Sequence, residues 1–212
     1  SRLSAEIRGT DQAIRNSLDG QALIDTAEGA HKEIENILQR MREVTIQAAN
    51  DTNNDQDRAN LQAEIEAMTT EIDRIAGTTT WAGADLMEDA TTTFSFQVGA
   101  ATGAKNQISV TIATMNATGL GVGDGTDSVI DVETDAASAN TGTGLIDVAI
   151  EKVNIQRSEL GAVSNRLNHT VNNLTNISSN LSAAKGGIED ADFALETTNL
   201  AKNQILQQAS TA

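Results

Sequence analysis

Apolar residues recur in regular steps of three and four along the last third of the chain. From position 146 to position 188 the steps run without a slip through Ile146, Ala149, Val153, Gln156, Leu160, Val163, Leu167, Thr170, Leu174, Ile177, Leu181, Ala184 and Ile188. This is the spacing of a coiled-coil seam, in which one stripe of a helix packs against partner helices. The pattern therefore predicts one long helix. Its two polar seam residues, Gln156 and Thr170, are expected to set the register.

Two earlier segments carry the same periodicity and can supply the partner helices. The first spans residues 2–49, with Leu23, Ala27, Ala30, Ile34, Ile37, Met41, Val44 and Ala48 on its seam. The second spans residues 56–76, with Leu61, Ile65, Met68, Ile72 and Ile75 on its seam. Because their connection is short, these helices should run antiparallel. Gly20 is an expected weak point of the first helix, since an interior glycine costs about 1 kcal/mol relative to alanine.

The residues that follow Trp81 have a different character. Alternating apolar and polar residues predict strands at 94–98 and 108–112, joined by a hairpin loop over residues 99–103. Residues 113–144 are mostly small, polar or acidic. This composition predicts a surface insert or a mobile loop with limited order.

These elements predict a mainly α fold, an elongated antiparallel helical bundle or coiled coil of long helices with a small β-hairpin and a short insert. Residues 1–112 would form the N-terminal part of a rod domain, and residues 145–212 would complete it as the C-terminal helix. Residues 113–144 would form the insert between them. The adjacent glycines Gly186 and Gly187 predict a break or bend in the last helix.

Composition and charge narrow the classes of function. The chain has 212 residues, 2% aromatic residues, no cysteine and a formal net charge of -16. The lack of cysteine excludes disulfides and thiolate metal sites. Nucleic acid and anionic membrane surfaces would be repelled, because phosphate binding needs clustered lysine and arginine. No apolar run approaches the roughly 18 residues of a membrane span, so we expect neither nucleic acid nor a membrane as a partner.

One stretch between the first two predicted helices resembles the start of a calcium loop. Asp51, Asn53, Asp55 and Asp57 fall at alternate positions, as the first ligands of such a loop do. However, Gln56 stands where the sharp turn of the loop needs glycine. We therefore expect a capped turn between helices and no calcium site.

Residues suited to catalysis are scarce. The two histidines, His31 and His169, lie on different predicted helices without a His-Glu-x-x-His pattern, and both are expected to face solvent. With no cysteine and no tyrosine, the usual nucleophiles and general bases are few. The sequence therefore predicts no enzymatic activity and no cofactor, and it disfavours a metal-dependent hydrolase.

Several motifs that occur in order and at matching separations resemble bacterial flagellin. The most specific is LQRMREVTIQAAN at residues 38–50, preceded by DG at 19–20 and TAEGA at 26–30. Further matching motifs are QAEI at 62–65, EIDRIA at 71–76, FQVG at 96–99, IEDADFA at 188–194 and QILQQA at 204–209. The resemblance covers residues 1–112 and 145–212, so residues 113–144 would be a very short version of the variable region of the family.

The resemblance implies a structural subunit of the bacterial flagellar filament, which is extracellular and serves cell motility. It implies secretion of the unfolded chain through the flagellar export channel, with an export chaperone and other flagellin subunits as partners. It also implies that both terminal segments normally form the inner coiled coils of the filament, and that most of each segment lies outside these 212 residues. We therefore expect this chain to be a monomer in solution.

Flagellins of this type are also ligands of a host Toll-like receptor, through a face that neighbouring subunits bury. The positions that match this patch are Arg40, Val44 and Glu64, with Gln39 and Glu43 beside them. Val44 stands where the family commonly has leucine, which removes one methylene of contact, worth about 1 kcal/mol.

Two other interpretations stay open. A hook–filament junction protein shares the terminal helices, although the motifs around Arg40 and Phe96 favour flagellin. A cell-surface binding protein or adhesin would instead use the acidic insert.

Overall fold

The computed structural model describes residues 1–211 and consists mainly of three long helices. In chain order the elements are α1 (Arg2–Ala48), α2 (Asp55–Thr78), β1 (Thr80–Trp81), β2 (Ala84–Asp85), β3 (Thr92–Gln97), a 3-10 turn (Ala104–Asn106), β4 (Gln107–Ile112), α3 (Ala117–Leu120) and α4 (Ala136–Thr211). The strands form two small sheets, β1 with β2 and β3 with β4. The predicted mainly α fold, with long helices and a small hairpin, is confirmed.

The chain divides into two compact units. The first comprises Ser1–Leu18, Gln97–Gln107 and Asn168–Ala212, and the second comprises Asp19–Phe96 and Ile108–Leu167. Within the first unit, the Asn16 amide donates to the Gln97 carbonyl at 3.0 Å, and the Ser178 hydroxyl donates to Asp11 Oδ1 at 2.7 Å. These two bonds connect the three segments of that unit. The candidate functional site lies in the second unit.

Gly20, the expected weak point of α1, does not interrupt the helix. The helix runs through it, and the residue is buried. A Cβ atom at this position would lie 3.0 Å from Leu167 Cδ1 and 3.4 Å from the Phe96 ring. The lack of a Cβ atom therefore allows Leu167 and Phe96 to pack closely against α1.

The polar stretch between α1 and α2 is a capped turn, as predicted. Asn54 is the N-cap of α2: its side chain accepts from the Asp57 amide at 2.8 Å, and the Asp57 carboxylate accepts from the Asn54 amide at 3.1 Å. This reciprocal capping box satisfies two backbone donors that the first helical turn leaves free. Of the groups that resembled calcium ligands in sequence, Asp57 thus has its partner within the chain, and the Asn53 amide donates to the Gln47 and Asn50 carbonyls at 2.9 and 2.7 Å.

Both sheets are antiparallel hairpins, the first with a two-residue turn and the second with a longer loop over residues 98–106. In the first, Trp81 pairs with Ala84, and the two connecting residues, Ala82 and Gly83, have positive φ angles of 51° and 81°. Such angles allow a two-residue turn that matches the twist of the strands. In the second, hydroxyl pairs connect β3 with β4, Thr93 with Thr111 at 3.1 Å and Ser95 with Ser109 at 3.2 Å. The buried residues of β4, Ile108, Val110 and Ile112, alternate with exposed ones, as the sequence pattern predicts.

The segment that follows β4 is packed, so of the two expectations, a surface insert or a mobile loop, the structure contradicts the mobile loop. Six of its apolar residues are almost fully buried, whereas Val129 is 42% exposed; the buried ones are Met115, Ala117, Leu120, Val122, Ile130 and Val132. Side chains of α2 bind its backbone: Gln62 donates to the Ile130 carbonyl at 2.9 Å and accepts from the Val132 amide at 2.8 Å. Glu66 accepts from the Ser128 amide at 2.8 Å. The local sequence pattern does not predict this ordered packing, because the side chains that anchor the segment belong to α2.

The last helix begins at Ala136, ten residues before the start of the periodic seam, and takes in part of the expected insert. In the second unit, the seam residues Val153, Leu160 and Leu167 are at most 1% exposed. Gln156 is buried as well, but its amide binds the Thr111 carbonyl and the Ala113 amide, at 3.2 and 2.8 Å. This polar seam residue therefore fixes α4 to the end of β4.

In the first unit, the same seam becomes exposed. Leu174 is 6% exposed, whereas Ile177 is 38% and Ile188 is 56% exposed. The expected break at Gly186 and Gly187 is wrong, because α4 continues through both residues. Neither glycine has a positive φ angle, so the pair lowers helix propensity without forcing a turn.

Among the described residues, no helix is long and apolar enough to cross a membrane.

Candidate interaction surface

Arg40 joins α1 to α2 at the surface of the second unit. Its Nε donates to Glu64 Oε1 at 2.9 Å, and its Nη2 lies 2.8 Å from the same oxygen. Nη1 donates to Glu43 Oε2 at 3.1 Å. Gln39 is exposed beside them on α1. The structure therefore brings together four of the five residues that the resemblance assigns to one patch.

The charges of this patch stay in contact with water. The side chains of Arg40 and Glu43 are 51% and 69% exposed, and that of Glu64 is 38% exposed. Hydrogen bonds to Glu64 and then to Glu43 raise the pKa of the Arg40 guanidinium. Because exposed ion pairs are screened by solvent and salt, this network contributes little to folding stability. Its main effect is to orient the guanidinium.

Val44 is not part of the exposed patch, because its side chain is buried, and contact between Val44 and a partner stays a prediction. It is 0% exposed, as are Met41 and Ala48. Val44 follows Met41 by three residues and precedes Ala48 by four, which places it on the buried seam of α1. The heptad pattern already indicated that Val44 is buried, because Val44 lies on the predicted seam of α1.

Ile46 supplies the apolar residue of the exposed face. It is 52% exposed and lies seven residues after Gln39 and three after Glu43, so all three share one side of α1. Sequence reasoning missed it because the resemblance directed attention to Val44. The predicted seam could have indicated its exposure, because Val44 and Ala48 belong to the seam and Ile46 does not.

A second polar cluster lies between α1 and α4 in the same unit, and it corrects another expectation. His31 does not face solvent: it is 0% exposed, and neither ring nitrogen has a hydrogen-bond partner. It follows Ala27 by four residues and precedes Ile34 by three, which is a seam-like position. Burial, opposed by Glu28 and assisted by Arg157, lowers the pKa of His31 from 6.5 to about 4. His169 is exposed, as expected.

Arg157 of α4 connects two carboxylates of α1. Its Nε donates to Glu28 Oε1 at 2.8 Å, and its Nη1 donates to Glu35 Oε2. In the amide orientation that satisfies both groups, Asn154 donates to the same Glu35 carboxylate at 3.1 and 3.2 Å. The Arg157 side chain is 30% exposed, so this bridge is more shielded from water than the Arg40 network.

The chemistry available on these surfaces is ion pairing, hydrogen bonding and apolar contact. Within residues 1–211, no group of three or more histidine or acidic side chains is arranged to hold a metal ion.

Two family models match the two ends of the chain. The bacterial flagellin N-terminal helical region matches residues 1–93, and the bacterial flagellin C-terminal helical region matches residues 143–212. Together these matches cover more than half of the chain. They include the motifs at 38–50 and 188–194 that carry the resemblance in sequence.

Relatives of known identity match along the whole chain. The flagellin of Halalkalibacterium halodurans is 44% identical over all of this chain and 75% of its own length. The flagellin of Bacillus subtilis is 40% identical over all of this chain and 78% of its own length. Both therefore align with the segment 94–142, between the two family models, as well as with the terminal helices.

Two solved structures are similar. The crystal structure of Bacillus cereus flagellin superposes with a TM-score of 0.61 at 31% identity, covering 81% of this chain and 94% of that one. A putative flagellar hook-associated protein from Vibrio parahaemolyticus reaches a TM-score of 0.71 at 16% identity, covering 88% and 94%. The second likeness shows the fold alone, because a shared fold does not fix function. With both helical regions matched and two flagellins at least 40% identical over its full length, the chain belongs to the bacterial flagellin family and is a structural protein of the extracellular flagellar filament, not an enzyme.

Proposed function

We propose that the protein polymerises with other flagellin subunits in its full-length form, and that one contact between neighbours is the Arg40 surface, made of Gln39, Arg40, Glu43, Ile46 and Glu64. The observation that carries this proposal is the fixed and half-exposed guanidinium of Arg40, held across two helices by Glu64. Because both helices pack into the core of the second unit, a partner would meet a rigid surface.

The Arg40 guanidinium keeps bonding capacity for a partner. An arginine carries five N–H donors, and three of them are directed at Glu64 and Glu43 through Nε, Nη1 and Nη2. The other two are left for an acceptor outside the patch. Since the side chain is already ordered, binding would not lose the rotamer entropy of a free arginine, about 0.5–1.5 kcal/mol.

Ile46 gives the Arg40 surface an apolar centre among polar groups. Interfaces commonly combine such a centre with a polar rim that excludes water. Covering the exposed half of this side chain would contribute about 1 kcal/mol. Charge alone would orient a partner, whereas this contact would help to retain it.

We further propose that the same surface binds a host Toll-like receptor when no neighbouring subunit covers it. The mixed charge of Arg40, Glu43 and Glu64 supports recognition by a partner with complementary charges. Receptor binding and subunit packing would then be mutually exclusive, because both need the same side chains.

A cell reporter assay tests the receptor proposal. Arg40→Ala should require at least about 10-fold more protein for the same response, because it removes one charge-assisted contact worth about 1.5–3 kcal/mol. Arg74→Ala is the matched control, since Arg74 is an exposed arginine of α2 that pairs with Glu71. Equal responses from the parent chain and Arg40→Ala would remove Arg40 from the receptor site.

We also propose secretion through the flagellar export channel with the help of an export chaperone. This is supported by the large apolar side chains of α4 that are 56–72% exposed, namely Ile188, Phe193, Leu195, Leu200, Ile205 and Leu206. Such side chains need a cover before assembly, because exposed apolar surface promotes aggregation. Calorimetry with the cognate chaperone should show weaker binding for Phe193→Asp and unchanged binding for the exposed control Asn203→Asp.

A further inference from the structure

The imidazole of His31 on α1 is fully buried, and Arg157 of α4 is close enough to affect its charge. Among the described residues, neither ring nitrogen has a hydrogen-bond partner, although a buried polar group normally has one. The ring is neutral only as long as it binds no second proton. A protonated ring would need an acceptor for each N–H, and none is in place.

The ion-pair bridge above this ring comes from the opposite helix. On α1, Glu28 precedes His31 by three residues and Glu35 follows it by four, so the three side chains share the face towards α4. Arg157 binds both carboxylates and thereby spans the position of His31. The same guanidinium that joins the helices is therefore the cation that a protonated His31 would face.

The charged groups acting on the ring are Glu28 from its own helix and Arg157 from α4. Glu28 attracts a proton to His31, and Arg157 repels it. Glu28 is already bound to Arg157 at 2.7 Å, so its carboxylate is shared. Glu35 is shared in the same way, between Arg157 and Asn154.

We propose that His31 and the Arg157 bridge form an acid-release device, in which protonation of the buried ring separates α1 from α4 around residues 28–35 and 154–157. Water can reach a protonated His31 only if Arg157 and the adjoining part of α4 move away from α1. Opening moves Arg157 away, which also removes the repulsion between the two cations. In a filament subunit, this would loosen the long-helix packing in acid while the rest of the second unit stays folded.

The direction of the pH effect follows from the closed state. Burial lowers the pKa of His31 to about 4, so the closed helices keep the ring neutral at neutral pH. The open state restores the ordinary value near 6.5. Between these two values only the open state binds the proton, so opening becomes more frequent as the pH falls through this range.

Hydrogen exchange on the intact chain tests the device. Amides of residues 28–35 and 154–157 should exchange up to about 10-fold faster for each pH unit lowered between roughly 6.5 and 4, after correction for intrinsic rates, because one proton is taken up on opening. His31→Leu should abolish this pH dependence, since leucine fills the site without titrating. His169→Leu, a change at an exposed histidine, should keep it.

Two results would overturn the proposal. The first is an equal acceleration in His31→Leu, which would assign the acid effect to other groups. The second is an acceleration that spreads uniformly over α2 and β4, which would mean global unfolding and no local release. Should His31→Leu fold poorly, His31→Gln gives the same test with a neutral side chain of similar length.

Discussion

Arg58 of α2 donates from Nη1 to the carbonyl oxygen of Ala48, the last residue of α1, at 2.8 Å. Nη1 also lies 3.2 Å from the Val132 carbonyl, and Nη2 lies 3.3 Å from that of Asn50. The residue is only 7% exposed. One cation thus binds the negative end of the α1 dipole and holds the following segment of the chain against it.

Replacing Arg58 by methionine should therefore destabilise the second unit. Three carbonyls would lose a charged donor in a buried place, and the cost should be about 3 kcal/mol. Urea unfolding followed by circular dichroism measures the change. Arg74→Met, at an exposed arginine on the same helix, should leave the midpoint unchanged. A similar midpoint for Arg58→Met would mean that water replaces the guanidinium without cost.

The long helices could be predicted from the sequence because each buries a stripe with a constant step. Leu23, Ile65 and Val153 are all on predicted seams and are fully buried. The burial of His31 was not predicted. Its side chain is polar and was expected to face solvent, although its spacing fits the seam. The groups that act on the buried ring include Arg157, which is 126 residues away in sequence. Local patterns do not carry such a relationship.

The segment after β4 could not be predicted for a similar reason. Its composition is that of a loop, and its order depends on side chains of α2. Gln62 binds the backbone at Ile130 and Val132 as a neighbouring strand would. The candidate site was predicted mainly through resemblance, which placed Arg40 and Glu64 correctly at the surface but also included the buried Val44.

Gln62→Ala should release this segment from α2. The substitution removes one acceptor and one donor from two part-buried backbone groups, so we expect a loss of about 2 kcal/mol. Hydrogen exchange should rise at the Val132 amide, which is bound by Gln62, and stay the same at Val110 in β4. Exchange that is unchanged at Val132 would show that apolar burial alone holds the segment.

Two glycines of α1 should respond to substitution with opposite signs. Gly29 has nothing within 4 Å of an added Cβ, so Gly29→Ala should stabilise the helix by about 0.5–1 kcal/mol. At Gly20 an added Cβ already meets Leu167 at 3.0 Å. Gly20→Val should therefore cost about 1–3 kcal/mol through overpacking. Thermal unfolding of both variants measures the difference, and a stabilising Gly20→Val would show that Leu167 can move aside.

Acid should lower the stability of the chain through His31. Its pKa in the folded chain is about 4, against an ordinary value of 6.5, so the unfolded chain binds the proton first as the pH falls. The stabilising effect of a neutral ring is complete above about pH 6.5 and declines below it until about pH 4. Between pH 7 and pH 5 the free energy of unfolding should fall by about 2 kcal/mol from this group.

The His31 contribution is isolated by comparing two variants. His31→Leu should show a loss between about pH 7 and about pH 5 that is smaller than that of the parent by roughly 2 kcal/mol. His169→Leu should lose as much stability as the parent chain. Parallel pH profiles for the parent and His31→Leu would contradict the assignment.

Val44 and Ile46 lie two residues apart and should separate folding from binding. Val44→Ala deletes two methyl groups from a fully buried side chain and should cost about 2 kcal/mol of stability. Ile46→Ala changes a side chain that is half exposed, so stability should stay within about 0.5 kcal/mol. In the reporter assay the order should reverse, with a weaker response for Ile46→Ala and a normal response for Val44→Ala at a temperature where it is folded.

Val148→Ala, at an equally exposed residue of α4, is the control for nonspecific loss of apolar surface. If Val44→Ala weakens the response while Ile46→Ala does not, the partner must reach a side chain that this fold keeps buried, and the helices would have to part on binding.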